Sequence, residues 1–85
     1  MIMHISNNIR VVTASYSLDK VDDPEDMDAR LEAVAGRGAD ARGVAVMTHQ
    51  RDMSWDCGSE EAALSLSQKL QQVPSVTVEI VEIKD

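Results

Sequence analysis

Two segments with helix start and stop signals divide the chain and constrain its fold more than any other feature. In the first, Asp23 precedes Pro24. An aspartate before a proline is typical of a helix start, because its carboxylate accepts a bond from an unpaired N–H and proline fits the first turn. Gly36 or Gly38 is expected to end this helix in a left-handed conformation. The predicted buried stripe is Met27, Leu31 and Val34.

The second helical segment is "SEEAALSLSQKLQQV". Ser59 is predicted to cap its start, and Glu60 and Glu61 occupy the first turn, where negative charge complements the helix dipole. Pro74 is predicted to stop it. The apolar residues recur at helical spacing and predict a buried face formed by Ala63, Leu66, Leu70 and Val73.

The remaining segments are typical of strands. Residues 9–18 are rich in β-branched side chains and contain no Gly or Pro. Residues 42–49 and 52–57 read as two strands of a hairpin, and residues 75–83 alternate as a final strand. Residues 1–8 allow either a short extra strand or an irregular start. In the last strand the apolar positions shift from Ile80 to Val81 and Ile83, which predicts a bulge or an end covered on both sides.

A turn at Gln50-Arg51 would give the hairpin one apolar and one polar face. In that register Val44 faces Cys57 and Val46 faces Trp55, while Asp52, Ser54 and Asp56 point the other way with Ala45 and Met47. A longer loop would shift the register. Seven residues are predicted to be buried together: Leu31, Val44, Val46, Met53, Trp55, Leu66 and Leu70.

The resulting order, βαββαβ, predicts an α+β protein in which all 85 residues form one domain. With short connections and right-handed crossovers, the simplest closure is a four-stranded antiparallel sheet with both helices on one face. This is the ferredoxin-like fold.

Charge and cysteine content restrict the partners. The formal net charge is −7, which disfavours direct contact with nucleic acid or anionic membrane because like charges repel. One cysteine, Cys57, excludes an internal disulfide and a multi-cysteine zinc site. The sequence contains no signal-peptide pattern and no apolar run of bilayer-spanning length. We therefore expect a soluble cytoplasmic protein.

The sequence contains no constellation that predicts catalysis. Cys57 and His49 are the candidate nucleophile and base, but the hairpin register separates them by roughly 16 Å, beyond proton-transfer reach. Cys57 is interpreted as a buried small hydrophobe, and His49 as an exposed partner of Asp52. The acidic residues lack calcium-loop spacing, and the glycines of residues 35–43 follow a helix rather than preceding one. We expect neither a metal nor a cofactor.

The run "SLDKVDDPEDMDARLE" carries more acid than helix capping requires. Dipole effects fade within one turn, so Asp28 and Glu32 are expected to lack a folding role, as is Asp19, which precedes the cap. An acidic sheet face also lacks the aromatic and basic residues that RNA-binding sheets use. The predicted surface for a basic partner combines Asp19, Asp22, Asp23, Glu25, Asp26, Asp28 and Glu32 with Asp52, Asp56 and Glu79.

In size, element order and the stretches "DKVDDPEDMD" and "DMSWDCGSEE", the chain resembles the small acidic phage-encoded inhibitors called anti-CRISPR proteins. Some of these are ferredoxin-like, among them an inhibitor of the type I-C system. The resemblance implies a non-enzymatic DNA mimic that acts in the bacterial host cytoplasm on a subunit of a CRISPR effector complex. It implies a monomer or weak dimer.

Two other interpretations remain open from the residues. The acidic surface can be a solvated surface that only keeps a small domain in solution. Alternatively, the chain is a small regulatory or ligand-binding ferredoxin-like domain that dimerises through an edge strand.

Overall fold

The computed structural model describes residues 9–83 and, within them, contains four strands and two α-helices. In chain order the elements are β1 (Ile9–Ser17), a 3-10 helix (Leu18–Lys20), α1 (Pro24–Ala35), β2 (Ala41–Ala45), β3 (Gln50–Cys57), α2 (Glu60–Gln71) and β4 (Val76–Ile83). The strands form one antiparallel sheet in the order β2-β3-β1-β4. The predicted α+β ferredoxin-like fold is confirmed. The question of an extra strand in residues 1–8 lies outside the described residues.

Both helices begin at the predicted caps. The Asp23 carboxylate accepts a bond from the Asp26 N–H at 3.2 Å, and the Ser59 hydroxyl accepts one from the Ala62 N–H at 3.1 Å. Gly36, at φ 81°, ends α1 in the left-handed conformation that glycine adopts without steric cost. Within residues 9–83, neither helix combines the length and apolarity that a membrane crossing requires.

One aliphatic core lies between the helices and one face of the sheet. Trp55 is its largest side chain and is fully buried, and its indole N–H donates to the Arg37 carbonyl at 3.2 Å. Five of the seven side chains predicted to be buried together are in this core. Its members are Val12, Ala14, Tyr16, Leu31, Met53, Trp55, Cys57, Ala63, Leu66, Leu70 and Val73.

The β2–β3 hairpin turns at residues 46–49, and the predicted turn at Gln50-Arg51 is wrong. Val44 faces Arg51 rather than Cys57, a register change of six residues. The predicted two-residue turn would need positive φ at its central residues. The observed turn has four residues, and among them His49 has a positive φ, of 51°.

The register change has opposite consequences for the two strands of the hairpin. Because six is even, every β3 side chain keeps its predicted face, and Trp55 remains inside. Val44 and Val46, however, lie at the turn end of the hairpin, where they are 50% and 77% exposed. Their predicted burial is therefore wrong.

Strand β4 pairs with β1 in one unbroken register up to the pair Ile9 and Ile83. The bulge predicted near Ile80 is therefore absent from this strand. Val81 and Ile83 point away from the helices and are about half exposed, so the expectation of an end covered on both sides is also wrong.

Candidate acidic binding surface

The sheet face opposite the helices carries three carboxylates, from Asp52 and Asp56 on β3 and Glu79 on β4. We call it the open face. Glu82, the remaining carboxylate on the strands, lies at a position on the same side of the sheet as the core residues. So do the three arginines of the strands, Arg10, Arg42 and Arg51, since they pair with inward-facing positions. Three of the four carboxylates on the described strands therefore lie on the open face, whereas all three arginines lie on the helix side.

The rest of the open face is rich in hydroxyl groups. Ser15 Oγ donates to Asp52 Oδ1 at 2.7 Å, and the hydroxyls of Thr13 and Ser54 lie 3.0 Å apart. Both bonds link β1 to β3 across the face. Neither aromatic side chain of the chain lies on the open face, because Tyr16 and Trp55 are both in the core. This composition lacks the stacking platform that RNA recognition by such sheets requires.

The spacing of the three carboxylates determines what they can bind. Asp52 and Asp56 are four residues apart on one strand, which places their Cα atoms roughly 13 Å apart. Glu79 on β4 lies opposite Thr13 on β1, and Thr13 lies opposite Ser54, which is midway between Asp52 and Asp56 on β3. Glu79 is therefore two strands, or about 10 Å, from the midpoint between Asp52 and Asp56. One cation cannot contact carboxylates this far apart. Separate lysines or arginines of a protein surface can.

The Asp56 end of the open face is rigidly held. Asp40 Oδ2 accepts the Asp56 N–H at 2.7 Å, and Arg37 donates to Asp40 at 2.9 Å and to the Asp56 carbonyl at 2.6 Å. The pKa of Asp40 is lowered mainly by the hydrogen bond from the Asp56 N–H and also by the Arg37 guanidinium. The Asp56 carboxylate itself remains exposed. The loop that precedes β2 thus fixes the strand and leaves its acid side chain available.

A second group of acids surrounds the start of α1, on the helix side of the sheet. We call it the helix-start cluster, and its members are Asp19, Asp22, Asp23, Glu25 and Asp26. Asp23 serves as the helix cap, and Asp19 Oδ1 lies 3.2 Å from His49 Nδ1. The predicted site residues therefore do not form one surface, because the sheet separates the helix-start cluster from the open face.

Asp28 does not belong to either exposed group. Its carboxylate accepts bonds from the Tyr16 hydroxyl at 2.6 Å and from Arg51 Nη2 at 2.9 Å. The expectation that Asp28 lacks a folding role is wrong. Position 28 is three residues before the buried Leu31 and borders the same helix face, which indicates partial burial but does not identify Tyr16 and Arg51 as partners.

Glu32 is engaged in a similar way at the other end of α1. Its Oε2 accepts the Ala39 N–H at 2.8 Å and an Arg42 bond at 2.6 Å. It holds the chain between α1 and β2, and the expectation that it has no folding role is also wrong. Neutralising Asp28 or Glu32 would therefore disturb folding and binding together.

The candidate nucleophile and base remain apart. Cys57 is buried at the end of β3, whereas His49 lies in the turn before it. Eight residues of largely extended chain separate them by roughly 26 Å. His49 contacts Asp19, and the predicted pairing with Asp52 is wrong. Among the described residues, no three His, Cys, Asp or Glu side chains are grouped to hold a metal ion.

A polar cleft of about 410 Å³ lies at the end of the open face near the β2–β3 turn. Lys20 is the cation of its lining, and hydroxyls predominate among the other side chains. Ser75, which also lines it, has φ 70°. Backbone in this region costs free energy for a residue with a side chain. The cleft therefore offers hydrogen-bonding groups, and one residue of its lining has a strained backbone conformation.

Fold and surface together define a ferredoxin-like domain with an acidic, hydroxyl-rich open face. No protein-family model, no curated protein and no solved structure matches the chain.

Proposed function

We propose that this chain is a non-enzymatic inhibitor that binds a basic, DNA-binding surface of a protein partner through its open face. The separation of strand charges carries the proposal: Asp52, Asp56 and Glu79 share the open face, and the strand arginines lie on the other side. Two of these arginines, Arg42 and Arg51, are held on the helix side by ion pairs with α1. The acids concentrated on the open face create a directional negative potential that attracts a basic surface.

The open face would act in place of nucleic-acid phosphates. Its carboxylates are held on strands, so little backbone freedom is lost on binding. Hydroxyls such as those of Thr13 and Ser54 add hydrogen-bonding groups between the charges. Exposed ion pairs contribute only about 0.2–1 kcal/mol each. The proposed affinity therefore comes from several pairs and depends strongly on salt.

The partner in this proposal is a subunit of a CRISPR effector complex, whose DNA channel is lined by lysine and arginine. The support is the resemblance in size, element order and acidic stretches to anti-CRISPR proteins, together with the ferredoxin-like fold. In this role the chain would be a phage product that acts in the cytoplasm of the bacterial host.

The helix-start cluster is assigned a secondary role. Its residues precede or begin α1, whereas the open-face acids lie on β3 and β4. Asp22, Glu25 and Asp26 are all exposed and are in no ion pair described for residues 9–83. These three residues supply a matched comparison for the three acids of the open face.

Two triple variants with equal charge changes test the proposal. One carries Asp52→Asn, Asp56→Asn and Glu79→Gln, and the other carries Asp22→Asn, Glu25→Gln and Asp26→Asn. Each is mixed with purified type I-C effector complex and labelled target DNA, and DNA binding is measured at low and high salt.

Wild-type protein should displace the DNA, most effectively at low salt. The open-face variant should lose this activity and its salt dependence, whereas the helix-start variant should retain most of both. If the two variants inhibit as well as the wild type, the acidic residues serve only solvation. If only the helix-start variant fails, the binding surface is the helix-start cluster.

The polar cleft favours the second interpretation, a small ligand-binding or regulatory domain. A ligand in the cleft would contact Lys20, Thr48 and Ser75. Thermal-shift screening against small anions and polyols tests this function, with Lys20→Ala as the matched variant. A stabilisation that Lys20→Ala abolishes would support the ligand-binding role over the inhibitor.

A further inference from the structure

The two edges of the sheet differ in how well they are protected against added strands. Strand β2 is five residues long and contains Arg42 and Gly43, whereas β4 is eight residues long, with the sequence VTVEIVEI. Short length, charged side chains and bulges are the usual devices that protect an edge. Strand β4 is long and unbroken, its charged side chains are the two glutamates Glu79 and Glu82, and within residues 9–83 it has a neighbouring strand on one side only.

Apolar side chains lie on both sides of this edge. On the open face Val81 is 45% exposed. On the helix side Leu64 of α2 is 47% exposed and lines the same hollow as Ile80. An edge strand with apolar groups above and below it can bury them only against another protein layer.

We propose that a second copy of this chain adds to β4, so that two sheets join around a two-fold axis at Ile80. In this antiparallel register Glu79 faces Val81 of the second copy, and Val78 faces Glu82 of the second copy. Residues 77–83 of each copy are paired and no like charges are opposed. An axis at Glu79 would instead place two glutamates face to face, which is destabilising.

The same axis brings the exposed helix residues together. Leu64 lies beside Ile80, so a two-fold axis at Ile80 places Leu64 of both copies near each other on the helix side. Self-complementary contact of one patch with itself is what a two-fold dimer requires. This inference does not depend on the inhibitor proposal.

The charge of the chain gives the dimer a recognisable salt response. Two copies of net charge −7 repel each other, and salt screens that repulsion. Added salt should therefore tighten the dimer, whereas it should weaken binding to a basic partner. The two proposals can fail independently.

Opposite charges at one exposed position test the register. Val81→Glu places a second glutamate opposite Glu79 at two symmetric sites, and Val81→Lys places a lysine there. Val44→Glu and Val44→Lys are the matched controls on β2, at a position with similar exposure. Sedimentation velocity over a wide range of protein concentration measures the dimer dissociation constant, and circular dichroism confirms that each variant is folded.

The wild type should show a monomer–dimer equilibrium. Val81→Glu should weaken the dimer by about tenfold or more, because the unfavourable pair occurs twice. Val81→Lys should dimerise at least as tightly as the wild type, and the Val44 variants should be unchanged. A second disruptive variant, Leu64→Glu, should also dissociate the dimer. A wild type that stays monomeric, equal effects of the two Val81 changes, or dissociation by Val44→Glu would overturn the proposal.

Discussion

Asp28 of α1 and Arg51 of β3 form an ion pair that is largely shielded from solvent, with Oδ2 and Nη2 2.9 Å apart. The Tyr16 hydroxyl donates to the other oxygen of the same carboxylate and also contacts the Pro24 carbonyl at 3.1 Å. Arg51 Nε is buried without a hydrogen-bond partner among the described residues. This cluster attaches the first turns of α1 to the end of the sheet.

Removing the Asp28 carboxylate should destabilise the fold strongly. Asp28→Ala leaves Arg51 charged and mostly buried without its counterion, and it leaves Tyr16 without its carboxylate acceptor. We expect a loss of about 2–4 kcal/mol in the free energy of unfolding, measured by urea denaturation. Asp22→Ala, an exposed change of the same chemical kind, should cost less than about 0.5 kcal/mol. Equal effects would show that the ion pair contributes nothing.

The Tyr16 hydroxyl predicts a loss of stability at alkaline pH. Burial raises the pKa of Tyr16, and the Asp28 carboxylate raises it further. In the unfolded chain the same group ionises near pH 10. Its contribution to stability is therefore complete below about pH 10 and declines as pH rises towards the folded-state pKa.

The Tyr16→Phe variant isolates this contribution. It should be less stable than the wild type at pH 8, since the hydroxyl bonds are lost, but its stability should fall less between about pH 9 and 11. Urea unfolding at several pH values measures the difference, and parallel pH profiles would contradict the assignment.

Two glycines provide a matched test of backbone conformation. Gly36 has φ 81°, and a Cβ at this position would meet no atom within 4 Å, so Gly36→Ala should cost about 1 kcal/mol through backbone strain alone. Gly43 also has open space but no positive φ. Gly43→Ala should therefore be neutral or slightly stabilising. Equal thermal midpoints for the two variants would contradict the left-handed cap.

The Cys57 thiol should react slowly in the folded protein. It is buried beside the core at the end of β3, so alkylation requires local or global opening. We expect labelling by iodoacetamide at neutral pH to be at least about 100-fold slower than in urea-unfolded protein. Rapid native-state labelling would reveal an accessible thiol and reopen the question of enzymatic activity.

Local sequence signals predicted the parts of the fold that depend on neighbouring residues. The cap at Asp23 and a glycine stop at Gly36 or Gly38, of which the helix uses Gly36, follow from hydrogen bonds and backbone angles within a few residues. The inward position of Trp55 follows from the two-residue period of strands, which an even register shift preserves. The same period placed Asp52 and Asp56 on one face, and Glu79, expected nearby on the last strand, lies on that face too.

The sequence by itself determined the element order, the helix caps, the inward faces of β3 and α2 and the acidity of the open face, because each depends on short-range patterns. Only the tertiary structure decided the hairpin register and the roles of Asp28 and Glu32. Those outcomes depend on residues far apart in the chain: Arg51 reaches Asp28 across 23 positions. A contact of that kind forms only when a helix docks on a sheet, and no local pattern encodes it.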